Sequence, residues 1–269
     1  MLRSPSCRVV FLAGLTAVGP SRPALAQAID LRTARVVELT HPFDEKTLYW
    51  PNAPSGFELK RLHFGPSEGG YFYSANSFCA PEHGGTHLDA PIHFAEGKAA
   101  VDQIPLEKLV GPAMVIDVTR AAGGDGDYRL SLDDVKAWER RQGAIPAGAL
   151  VLLRTGWSAR WPDMKRYFGS ATPGDAANLH FPSYGEEAAR FLVETRKVAA
   201  LGIDTASIDY GPSKDFIVHR LAMGAGVFGL ENLDHLDALP EKGAWIVALP
   251  MKIGGGSGAP LRAVAFLPR

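Results

Sequence analysis

Residues 83–94 read HGGTHLDAPIHF. The stretch brings His83, His87, Asp89 and His93 together among glycine, proline and small apolar residues. His83 and His87 stand four apart, as they would on one face of a metal-binding helix. Gly84 and Gly85 between them and Pro91 beyond them make a poor helix. An extended chain accounts for the pattern better. The odd positions 83, 87, 89 and 93 project from one face, and Thr86, Leu88, Ala90, Ile92 and Phe94 from the other. The mostly apolar face packs into a core, while its opposite presents imidazoles and a carboxylate. On this reading Gly85 leaves the polar face open to close approach of a ligand, and Pro91 turns His93 away from the regular part.

Four such groups on one face are costly alone. Desolvated polar groups need partners, and clustered imidazoles repel once protonated. A divalent metal answers both demands, because it binds neutral imidazole and ionised carboxylate. An incidental polar loop would not keep this alternation.

Working outward, short apolar runs read as strands: 34–40, 113–119, 149–155, 199–204, 244–250 and 262–268. Nearly continuous Val, Ile and Leu suit strands buried on both faces. Three helices are expected between them. Ser131 caps one, with Asp134 three residues on, Val135 and Trp138 inward, and Gly143 as the stop. Ser183 and Glu186 form a capping-box pattern that opens a second, with Ala188, Phe191 and Leu192 inward. Residues 213–224 form the third. Many strands and few helices indicate a mixed α/β domain. The glycine-rich segment 253–260 lacks phosphate-binding spacing and reads as a tight connection.

Of 269 residues, 46% are hydrophobic and 21% charged, enough for a sizeable core, and the net charge of −1 gives no pull toward nucleic acid or an acidic membrane. The first residues differ from the rest. Arg3 and Arg8 precede an apolar run from Val9 to Val18, and Ala24-Leu25-Ala26 closes it as a small-x-small cleavage pattern. This predicts a secretory signal peptide over 1–26, a folded domain over 34–269, and a periplasmic or secreted product with no membrane attachment after cleavage. A mitochondrial transit peptide is the alternative. Cys79 alone remains after cleavage, so no internal disulfide forms.

The motif residues carry a resemblance. HGGTHLDAPIHF is similar to the H-x-G-T-H-x-D-x-P-x-H signature of the metal-dependent cyclase family, which includes bacterial kynurenine formamidases and isatin hydrolases. His219 followed by Glu231 in HRLAMGAGVFGLEN matches the family's second-metal spacing. YWPNAP resembles the stretch that supplies a substrate-facing tryptophan, here Trp50, with Asn52 in place of glycine. The resemblance implies a single compact α/β domain of the swivelling β/β/α type, assembled as a dimer or tetramer. It implies two ions, Zn²⁺ or Mn²⁺. His83, His87 and Asp89 would hold the first, and Asp89, Glu231 and His219 the second. His93 would be the general acid/base. The implied reaction is hydrolysis of an aromatic amide by metal-activated water, first an aryl formamide in the manner of formylkynurenine breakdown. A cyclic amide, imide or lactone is the alternative substrate, and a non-catalytic metal- or solute-binding protein the alternative class.

Other polar residues read more plainly. His41, His63, His180 and His235 are expected as surface or hydrogen-bonded histidines, and Cys79 as a small buried residue. Trp138 and Trp157 belong to the core. Ser207 has no nucleophile elbow around it. Asp204 and Asp209 stand at a strand end, where they either orient His219 or nearby backbone or shape turns.

Overall fold

The computed structural model describes Asp30 and residues 32–268. The signal peptide expected over 1–26 lies outside the described residues.

Among the described residues there are twelve strands: β1 (Arg35–Glu38), β2 (Glu58–Pro66), β3 (Phe72–Cys79), β4 (His87–Asp89), β5 (Val110–Asp117), β6 (Arg129–Leu130), β7 (Leu150–Arg154), β8 (Ser183–Tyr184), β9 (Ala200–Ile203), β10 (Phe228–Glu231), β11 (Lys242–Pro250) and β12 (Gly258–Leu267). The main sheet runs β1-β12-β11-β5-β7-β9-β10-β4, and β4 also pairs with β12. The sheet therefore closes on itself as a barrel, with β1 added along the second half of β12. Within this sheet, strands β5, β7, β9 and β10 are parallel and the other pairings antiparallel. This is the mixed α/β single domain expected from the strand runs, with a barrel-like sheet. A barrel of so few strands is narrow. Its inside is filled by alanines (Ala113, Ala244, Ala248, Ala263, Ala265) alternating with Leu88, Leu152, Leu230 and Ile246.

Helices α1 (Thr119–Gly124), α2 (Leu132–Gln142), α3 (Met164–Phe168), α4 (Glu186–Arg190) and α5 (Ile217–Gly224) complete the domain. The helix at Ser131 forms as expected: its side chain accepts from the Asp134 amide, and Gly143 ends it at φ 87°. Val135, Trp138, Ala188, Leu192, Val218 and Ala222 cover the outer face of β5, β7 and β9. The expected box at Ser183 does not form. Ser183 lies in β8, its hydroxyl donates to the Ser207 carbonyl, and Gly185 caps α4 instead. The third helix starts at Ile217 rather than 213, because Phe216 takes a left-handed conformation at φ 48°. A third cluster, aromatic, joins Trp157, Tyr167, Phe168 and Phe181 to Trp50 and Trp161. Among the described residues no helix is long and apolar enough to cross a membrane.

Candidate active site

The motif is extended only in its middle. Strand β4 covers His87–Asp89, residues 83–86 bend into it, and Pro91–His93 form a single 3-10 turn. Leu88 points into the barrel, so His87 and Asp89 point out of it. Glu231 lies opposite His87 across the β4–β10 pairing, and Gly229 opposite Asp89. Helix α5 crosses this seam and supplies His219. The structure thus gathers His83, His87, Asp89, His93, His219 and Glu231 around one cavity.

The distances are short. His83 Nδ1 lies 2.6 Å from Asp89 Oδ1, and His87 Nε2 lies 3.2 Å from that oxygen and 3.5 Å from Glu231 Oε2. His219 Nε2 is 3.4 Å from Asp89 Oδ2 and 3.2 Å from Glu231 Oε1. The outer nitrogen of each of these three imidazoles is fastened. His87 Nδ1 meets the Gly85 carbonyl at 3.0 Å, which can only accept, so the proton sits there. His219 Nδ1 donates to Asp209 Oδ2 at 2.7 Å, and Asp209 also accepts from the amides of Val218 and His219. Ser257 Oγ donates to Glu82 Oε2 at 2.6 Å and so accepts from His83 Nε2 at 2.9 Å. Each inner lone pair is left facing Asp89 or Glu231.

Protonation follows from this crowding. Burial opposes charge on His87, but Asp89 and Glu231 raise its pKa to about 9. His219 is pushed well up against its own burial by Asp209, Asp89 and Glu231. Asp89, although buried, is held well below the ordinary carboxylate range by His87 and His83, whereas burial and the Asp89 charge push Glu231 up. The carboxylates draw a positive charge into the cluster, and a divalent ion supplies that charge without protonating the imidazoles. Asp89 Oδ2 is buried with no hydrogen-bond partner among the described residues. His83, His87 and Asp89 offer donor atoms within 4.8 Å of one another, as do Asp89, His93 and His219. Nitrogen and oxygen donors in this arrangement fit a first-row divalent metal.

His93 stands apart. Its ring stacks on His83 with centroids 3.8 Å apart, and its nitrogens take no hydrogen bond among the described residues. Burial, with the neighbouring histidines, lowers its pKa to about 4.

The cavity has a volume of about 280 Å³. Trp50, Phe94, Phe168 and Phe216 wall it, and among the described residues no lysine or arginine lines it. Trp50 meets Phe168, Phe181 and Phe216 at its edges, so it serves both packing and the cavity. Phe94, expected on the core-facing side of the motif, lines the cavity instead, because the 3-10 turn at Pro91–His93 breaks the alternation; Phe168 and Phe216 come from separate segments with no local spacing and were not read.

Gly85 has another reason than ligand approach. A Cβ there would lie 2.4 Å from the Phe43 ring, and one at Gly84 would lie 2.1 Å from Tyr49, so both glycines admit the protein's own side chains. The glycine-rich connection also belongs to the site. A Cβ at Gly258 would meet His83 Cε1 at 2.4 Å, and Ser257 of the same loop holds His83. Asp209 orients His219 as one of its two readings anticipated. Asp204 instead gathers the amides of Thr155, Gly156 and Trp157. His41 is buried, stacked on Trp161 and 3.3 Å from Asp234. Cys79 is exposed, contrary to expectation, because its strand has nothing packed over it.

Comparison with known proteins agrees with this geometry. The family model described as "Putative cyclase" matches residues 37–210. An isatin hydrolase from Roseibium aggregatum is 35% identical over 208 residues, covering 74% of this chain and 77% of the relative. A kynurenine formamidase from Polaromonas naphthalenivorans is 28% identical over 247 residues, 91% of this chain and 96% of the relative. Isatin hydrolase A from Ralstonia solanacearum superposes with a TM-score of 0.79 at 36% identity, over 88% of this chain and 93% of that one. The chain belongs to the cyclase family. Within it, the protein is a metal-dependent hydrolase.

Proposed function

We infer that the enzyme hydrolyses the amide bond of a compact, neutral aromatic ring system, with a cyclic amide of the isatin type as first candidate. The observation that carries this is the cavity: flat aromatic walls, no lysine or arginine among the described residues, and a floor of histidines and carboxylates. Formylkynurenine bears an amino-acid carboxylate, and nothing basic lines this cavity to receive one. The isatin hydrolase relatives support the same choice. An aryl formamide is the second reading, supported by the formamidase relative, which matches almost its whole length.

His83, His87 and Asp89 would hold one metal ion, and Asp89, Glu231 and His219 a second, Zn²⁺ or Mn²⁺ by donor type. Bound metal supplies Lewis-acid polarisation of the carbonyl and acidifies water. The chain's own groups do the rest. Trp50, Phe94 and Phe216 stack and edge against the ring, holding its carbonyl toward the histidines. The same walls exclude bulk water. His93 is neutral at pH 7, free of protein hydrogen bonds, and set at the cluster. It takes a proton from the attacking water and returns one to the leaving nitrogen. The water oxygen bonds to the carbonyl carbon, the C–N bond breaks, and the product is a ring-opened amino carboxylate. Residues 34–269 form the catalytic domain in this reading, exported behind the 1–26 signal and assembled as a homo-oligomer.

The test is hydrolysis of isatin and of N-formylkynurenine by protein loaded with Zn²⁺ or Mn²⁺, before and after chelation. Chelator-sensitive ring opening of isatin is expected. Turnover of formylkynurenine alone establishes the second reading. No turnover of either by metal-loaded protein overturns both.

A further inference from the structure

The Gly85 carbonyl takes two hydrogen bonds. It accepts from His87 Nδ1 at 3.0 Å and from Asn232 Nδ2 at 2.7 Å. Asn232 directly follows Glu231, the last residue of β10, and is buried with φ 53°. A left-handed backbone is uncommon outside glycine, and asparagine is among the few residues that tolerate it. The turn is tied down by the Asn232 amide, which donates to the Thr205 carbonyl at 2.8 Å, and by the Leu233 amide, which donates to the Ile203 carbonyl at 3.0 Å. The Asn232 carbonyl in turn accepts from Thr86 Oγ1 at 2.7 Å. Asn232 therefore grips two successive residues, 85 by its side chain and 86 by its backbone.

The Asn232 amide fits only one way round. Tyr167 Oη donates to its Oδ1 at 2.9 Å. Tyr167 is fully buried in α3, and burial pushes its pKa well up, so the phenol keeps its proton. A reversed amide would set Oδ1 against the Gly85 carbonyl, with two acceptors at hydrogen-bond distance. A relay results: Tyr167 donates to Asn232, and Asn232 donates to the carbonyl that also receives His87.

The peptide held in this way is a soft one. Gly85 sits at φ 57° with no Cβ to restrict its rotation. A flip of the 85–86 peptide plane would replace the carbonyl with the Thr86 N–H opposite His87 Nδ1. An N–H is met by a lone pair, so the ring proton would move to Nε2. That nitrogen faces Asp89 and Glu231, and once protonated it binds no metal.

We propose that Asn232 is a positioning residue: by holding the Gly85 carbonyl it keeps the His87 proton on Nδ1 and the Nε2 lone pair open to metal. This rests on the reading of His87 as a metal ligand of the hydrolase. Phe168, next to Tyr167 on α3, walls the cavity, so the relay also joins the aromatic wall to the metal-binding floor.

Three variants of the full chain test it. Asn232→Asp keeps the shape and the left-handed turn but sets an oxygen against Gly85. Asn232→Gly keeps the turn and removes the side chain. Tyr167→Phe leaves Asn232 in place and removes the donor behind it. Zinc affinity is read in competition with a chromophoric chelator, and the His87 tautomer from long-range proton–nitrogen correlation spectra of isotope-labelled, chelated protein. Far-ultraviolet circular dichroism checks folding. Both Asn232 variants should lose about 10–100-fold in zinc affinity, and Tyr167→Phe about fivefold. Each should show a new His87 form protonated on Nε2, while KM at saturating zinc stays unchanged. Lost affinity with the wild-type tautomer overturns the proposal, because the role would then be structural only. Wild-type affinity with a raised KM also overturns it, since Asn232 lines the cavity and would then be a substrate contact. Should the Asn232 variants fail to fold, Tyr167→Phe decides by the same affinity and tautomer readings. Both are taken without substrate, so a protein that hydrolyses neither amide leaves this result standing.

Discussion

The histidines of the site divide into a deep pair and a mouth pair. His87 and His219 are fully inside, each tied by its outer nitrogen to a group that can only accept, the Gly85 carbonyl and the Asp209 carboxylate. His83 and His93 are half-buried and stacked on each other. His83 is held by a serine that leans on Glu82, and His93 by nothing. Residue type is the same in all four, and the second partner differs. The deep pair keeps a lone pair aimed; the free member of the mouth pair has both nitrogens available, as the proposed proton exchange requires.

This contrast can be broken most severely at His93. His93→Ala should lower kcat by about 10²–10⁴ while metal content by elemental analysis stays at the wild-type value. A variant with wild-type turnover would remove His93 from proton transfer. Next in size is the fastening of the deep pair. Asp209→Asn should weaken metal binding by about 10–100-fold in competition with a chromophoric chelator, with kcat largely recovered at saturating metal. Unchanged affinity would mean that the α5 backbone alone orients His219. The smallest effect belongs to the mouth. Ser257→Ala removes one hydrogen bond to His83, and a loss of about fivefold in metal affinity corresponds to its ~1 kcal/mol. A loss as large as that of Asp209→Asn would erase the distinction between the pairs.

The same distinction explains what was legible in the sequence. The candidate ligands His87 and Asp89 could be read because they sit on one short strand with Leu88 turned the other way, so chemistry and periodicity coincide there. The barrel strands could be read because both faces are buried and the runs are nearly continuous. The β2–β3 hairpin escaped because neither face packs on the barrel, which leaves no alternation between Leu59 and Phe78 to detect. Ser183 was misread because a serine before a Gly-Glu pair has the pattern of a cap, while its hydroxyl finds a partner 24 residues away, at Ser207. Phe94 was assigned to the core because the alternation was carried past Pro91, and Phe168 and Phe216 converge on the motif only in three dimensions. Ser257 was hidden in a loop whose glycines indicated a turn but not what the turn wraps around.

The position of β4 has a further consequence. This three-residue strand is the seam of the barrel, with Glu231 against His87 on one side and Gly258 against Asp89 on the other. A slip of one residue there would swing Leu88 outward and drive His87 and Asp89 into an alanine-lined interior with no partner for either. These side chains therefore key the joint: a barrel closed in the wrong register has nothing to offer a metal, and a metal held across His87, Asp89 and Glu231 would fasten the correct one. Metal affinity and correct closure become one trait, and selection for either maintains the other.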